Sequence, residues 1–99
     1  MRMMMKVSMP VEPANAAIKD GSLPKTMQEL AARLKPEASY FYTECGKRTA
    51  LFVFDMKDSA QMPVIAEPFF MRLNAGVELH PVMNADDLKA GLKAAAKAF

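Results

Sequence analysis

The sequence predicts a single α+β domain spanning residues 1–99, on three observations. Two segments alternate with strand period: Met3, Met5, Val7 and Met9 against Arg2, Met4, Lys6 and Ser8, and later Val77, Leu79, Pro81 and Met83 against Glu78, His80 and Val82. Two others carry apolar residues at helical spacing: Met27, Leu30, Ala31 and Leu34, then Val64, Ile65, Phe69 and Leu73. Between the helical segments, Glu37 to Cys45 and Arg48 to Asp55 are rich in Tyr, Phe, Val and Thr and flank Gly46-Lys47, the pattern of a β-hairpin.

Each element has a local cause. In the first strand the alternation carries the assignment, because Met is a poorer strand former than Val or Ile. Pro10-Val11-Glu12-Pro13 ends it, and Asn15 to Asp20 suits a short helical stretch before Gly21. Ser22 is placed to cap the next helix, with Pro24 tolerated in its first turn. Pro36 stops that helix. Asp58 or Ser59 opens the following one, in which Pro68 removes an internal N–H and predicts a kink or break near Glu67. Asn74-Ala75-Gly76 ends it, and Pro81 suits a strand at a sheet edge. Asn84 caps a last helix with Asp86 and Asp87 in its first turn and Lys89, Lys93 and Lys97 further along, the polarity a helix dipole favours. Leu88, Leu92, Ala95 and Phe99 form its apolar face.

Composition narrows the function classes. Hydrophobic residues make up 52% of the chain, and 13 basic and 11 acidic residues leave a net charge of +2, which argues against disorder. With glycine included the apolar share is about 56%, above the usual ~45–50%, so part of the surplus is expected in a subunit interface. One cysteine, Cys45, and one histidine form neither a disulfide nor a structural zinc site, and a reducing cytoplasm is the expected compartment. No run approaches the ~18 apolar residues of a membrane span. Nucleotide-binding glycine loops, zinc-protease, serine-hydrolase and Cys-x-x-Cys motifs are all absent, and no metal or cofactor is expected. The basic residues are scattered rather than gathered on a nucleic-acid-binding face. In Lys47 to Phe54, Thr49 and Leu51 stand where an RNA-recognition domain of the same element order carries stacking aromatics.

The order β-α-β-β-α-β is that of the ferredoxin-like fold: a four-stranded antiparallel sheet with helices on one face, here followed by a C-terminal helix. Right-handed crossovers then give the strand order fourth, first, third, second. With this order the chain resembles the dimeric α+β barrel superfamily, and more specifically small uncharacterised bacterial proteins with no assigned reaction. The matching stretches are Met5 to Pro13, Gly21-Ser22-Leu23-Pro24-Lys25, Phe54-Asp55-Met56-Lys57-Asp58 and Ala66-Glu67-Pro68-Phe69-Phe70. The resemblance implies a homodimer with a pocket between sheet and helices. Better-known members of the superfamily are antibiotic-biosynthesis and haem-degrading monooxygenases and muconolactone isomerases. None of their catalytic motifs has a counterpart here residue by residue.

Parity places Lys6 and Ser8 on the same sheet face as Glu78 and His80, with Lys6 expected opposite His80 and Ser8 opposite Glu78. With Tyr42 or Tyr40 these are the candidate residues for a small polar or anionic ligand, His80 exchanging a proton near neutral pH. The competing reading is a solvated or interfacial ion-pair patch, since charges on a buried face are costly unless paired. Cys45 is expected at the opposite sheet edge from His80, too far for a nucleophilic pair within one chain. Phe69 and Phe70 read first as core aromatics, and second as the mouth of a pocket shaped by the kink at Pro68. The sequence thus points to a homodimer accommodating a small organic molecule. A cofactor-independent isomerase or monooxygenase-like enzyme and a purely structural dimer are the alternatives.

Overall fold

The structure, a computed structural model, describes all residues from Met1 to Phe99. Its elements in order are β1 (Arg2–Met9), α1 (Val11–Lys19), α2 (Ser22–Leu34), β2 (Ala38–Glu44), β3 (Lys47–Asp55), α3 (Gln61–Leu73), β4 (Gly76–Pro81) and α4 (Ala85–Ala95), closed by a 3-10 turn over Ala96–Ala98. The strands form one antiparallel sheet in the order β2-β3-β1-β4. This is the ferredoxin-like α+β arrangement, with β1 and β3 central and β2 and β4 at the edges.

The alternation in β1 determines which face is covered. Met3, Met5, Val7 and Met9 are buried and stand opposite Phe54, Phe52, Ala50 and Arg48 of β3. Leu23, Leu30 and Leu34 of α2, Phe69 of α3 and Ala14 of α1 complete the same apolar cluster. Phe52 is its centre: its ring meets Phe41 edge-on at 6.1 Å and Phe69 at 6.3 Å. Burying one such ring contributes about 1.5–3 kcal/mol.

Several boundaries differ from the sequence reading. Strand β1 ends ahead of Pro10 as expected, but helix α1 begins at Val11 rather than Asn15; Pro13 sits in the first turn, where its missing N–H has no intrahelical acceptor to lose. Gly21, at φ 81°, precedes α2, and Ser22 is its first helical residue. Asp58 caps the turn ahead of α3, its Oδ1 accepting from the Ala60 N–H at 2.9 Å, and the helix itself starts at Gln61. Helix α3 then runs through Pro68 without the expected break. Its apolar face is Ile65, Ala66, Phe69 and Leu73, while Val64 is 73% exposed. The hairpin loop is Cys45-Gly46, one residue earlier than expected, with Glu44 paired to Lys47 and both loop residues at positive φ.

Helix α4 forms as expected, with a reciprocal cap: the Asp87 N–H donates to Asn84 Oδ1 at 2.8 Å and the Asn84 N–H to Asp87 Oδ2 at 3.2 Å. None of its residues is buried, so the stripe of Leu88 and Leu92 is solvated. The helix stands off the body. The radius of gyration is accordingly 16.1 Å, against about 13 Å for a compact chain of this length.

Candidate functional site

The sheet face opposite the helices is open, and the observed register defines its rungs. Gly76, Ser8, Thr49 and Tyr42 form one, Glu78, Lys6, Leu51 and Tyr40 the next, and His80, Met4, Val53 and Ala38 a third. The expected shared face of Lys6, Ser8, Glu78 and His80 is observed. The expected pairing is not: Lys6 stands opposite Glu78 rather than His80, and Ser8 opposite Gly76 rather than Glu78. A slip of two residues preserves which face a side chain takes, so apolar alternation cannot exclude it. Tyr40 and Tyr42 have the same parity and both lie on this face, Tyr42 in the rung of Ser8.

Lys6 is the electrostatic centre of the open face. Its Nζ lies 2.6 Å from Glu44 Oε2 and 3.1 Å from Glu78 Oε2. Hydrogen bonds to Glu44, and next to Glu78, hold the ammonium's pKa well above the ordinary lysine value. A lysine so held stays a cation and is no base. His80 is exposed at the edge strand beside Met4 and lines no cavity; Lys6, Ser8 and Glu78 line none either. Cys45 is exposed in the hairpin loop at the opposite edge from β4. The open face brings the charged candidates together as an ion-paired patch and gives them no enclosed space.

A groove, open to solvent along its length, lies on the other face. Strand β2 is the edge that the helices leave uncovered, and Phe41, whose parity directs it to the helix side, is 65% exposed. The result is a groove of about 670 Å³ between α2 and the β2–β3 hairpin. Its apolar walls include Met9, Ile18, Leu23, Met27 and Phe41, with Tyr42 the one candidate residue that contributes to the lining. Polar side chains are few, namely Gln28, Thr43 and Arg48, while Thr49 and Tyr42 border the groove from strand positions whose parity is that of the open face. At one end Thr43, Arg48 and Met9 form a rung on the helix-covered face. Arg48 Nη1 donates to Asn15 Oδ1 of α1 at 2.9 Å, which fixes the guanidinium at the groove.

Individually these residues carry no functional signal. Met27 belongs to the helical stripe read as facing the core, Ile18 and Phe41 lie in a short helix and a strand without further sign, and Arg48 only begins a strand. One available sign was that the hairpin strands carry apolar residues on both faces.

No protein-family profile and no curated protein matches the chain. Among solved structures, the de novo designed protein Ferredog-Diesel is similar over 82% of this chain and 85% of its own, at 8% identity and a TM-score of 0.47.

Proposed function

We propose that this chain is a homodimeric binding protein for a small, largely apolar organic molecule. The observation that carries the reading is the groove between α2 and β2. Its volume falls within the roughly 300–1,000 Å³ usual for small-molecule sites, and its make-up of apolar walls with a few convergent polar groups is the usual one. Binding there replaces solvent on Phe41 and Ile18, side chains that the chain's own fold leaves substantially exposed.

The dimer part of the proposal rests on the open sheet face. Met4, Tyr40, Leu51 and Val53 give it an apolar middle, and a second copy laid on it is the closure implied by the resemblance to dimeric α+β barrels. Burying Lys6 there is tolerable because two carboxylates already engage it. The isomerase-like alternative has no comparable support, since Lys6 is committed to Glu44 and Glu78 and His80 lies in a different rung.

The test is titration with the neutral fluorophore N-phenyl-1-naphthylamine. Saturable uptake by the wild type, abolished in Ala31→Phe with the melting temperature retained, is the expected result. Uptake unaffected by that substitution overturns the groove as the site. Sedimentation tests the dimer: Leu51→Asp is expected to be a folded monomer, and a wild type that is monomeric at micromolar concentration overturns it.

A further inference from the structure

Resting on the groove as the binding site, we infer that its ligand is a monocarboxylate with an elongated apolar body, the carboxylate paired with Arg48. Arg48 is the one charged residue in the groove lining. It is half-buried and makes no salt bridge; its single side-chain hydrogen bond goes to the neutral Oδ1 of Asn15 at 2.9 Å. The other arginines with an ionic contact, Arg2 and Arg72, meet carboxylates at the surface. A guanidinium set among apolar walls without a counter-charge is costly, and such groups are normally paired.

The geometry identifies the missing partner's chemistry. A guanidinium presents parallel N–H donors that match a planar carboxylate in bidentate fashion. Asn15 occupies one of those donors and orients the fork, so the remaining ones are free for a ligand at the groove end. A single cation balances a single negative charge, which favours a monocarboxylate over a phosphate dianion. Thr43 stands directly opposite Arg48 on β2, where its hydroxyl is placed to donate to the same head group. The walls beyond are Met9, Ile18, Met27 and Phe41, and unbranched methionines adapt to a flexible chain or a flat ring.

The experiment is displacement of N-phenyl-1-naphthylamine by decanoate, decanol and decylamine, molecules of one chain length that differ in head-group charge. Decanoate is expected to displace the probe at a concentration at least tenfold below that of decanol, with decylamine weakest. Arg48→Gln is expected to abolish the decanoate preference and leave decanol unchanged. Arg48→Lys, which keeps the charge and loses the fork, is expected to fall between them and serves if the glutamine variant does not fold. Equal displacement by decanoate and decanol, or a preference that survives in both variants, overturns the carboxylate inference while the groove remains a site. Failure of the probe to bind at all overturns the groove reading itself.

Discussion

Nζ of Lys6, on central strand β1, lies 2.6 Å from Oε2 of Glu44 at the end of edge strand β2. The same ammonium meets Glu78 on the opposite edge at 3.1 Å, so one side chain ties both sheet edges to the centre. In water such a contact does little for stability, because solvent screens it and two long side chains must be held still. In the proposed dimer it would have a different role: it would allow two carboxylates to be covered by the second subunit. Lys6→Met is therefore expected to shift the monomer's melting temperature little. It is expected to weaken dimerisation about tenfold or more, since Glu44 and Glu78 are then left facing the seam unpaired. A sedimentation dilution series beside calorimetry separates the two effects.

The pH dependence follows from the same contacts. Lys6 is raised in the fold, so its stabilising contribution is complete below the unfolded value of about 10.4 and is lost as pH rises through the higher folded value. Glu29 is lowered, first by its hydrogen bond from Arg72 of α3, and Asp20 by its hydrogen bonds from Ser22. Their contributions are complete above the ordinary carboxylate value of roughly 4 and are lost as pH falls below it. Melting temperature against pH is expected to be flat from about pH 5 to pH 10, to decline on the acid side, and to fall only slightly on the alkaline side, because the solvent-screened Lys6 contacts add little. Glu29→Gln is expected to make the acid limb shallower.

The hairpin loop carries local strain. Cys45 has φ 53° and Gly46 φ 74°, the left-handed pair that a two-residue loop needs to match strand twist. Glycine adopts this at no steric cost, whereas cysteine does not. Cys45→Asn is expected to stabilise the chain by about 0.5–1 kcal/mol, and Gly46→Ala to destabilise it by about the same amount. Urea denaturation of the two variants gives the comparison.

Phe52 is fully buried on β3 between Phe41 and Phe69. Phe52→Ala is expected to cost about 3–5 kcal/mol, the transfer loss together with the cavity left beside α3. Because Phe41 loses its edge-on neighbour, the variant is also expected to take up N-phenyl-1-naphthylamine more weakly. Chemical denaturation and probe titration measure the two effects.

Much of this architecture was legible in the sequence, and the limits have physical causes. Strand period assigned Met3, Met5, Val7 and Met9 to one face and Lys6 and Ser8 to the other, because exchanging faces would expose the core. It could not place Lys6 against Glu78 rather than His80, since no tight turn joins β4 to β1 to fix the register. Helical period identified α3, yet Val64 faces solvent because the stripe that packs is Ile65, Ala66, Phe69 and Leu73. Asn84 with Asp87 gave the start of α4, while nothing local states what its Leu88–Leu92 stripe rests on. The groove was least legible. It is assembled from β1, α1, α2 and the hairpin, and it exists because α2 stops short of covering β2, a tertiary fact that no window of sequence contains.

The most direct test of the central claim is the crystal structure of the chain grown with decanoate. The account predicts an elongated ligand between α2 and β2, with its carboxylate against Arg48 and Thr43. Electron density for the ligand confined to the open sheet face beside Lys6 and His80, with the groove occupied only by solvent, would contradict it.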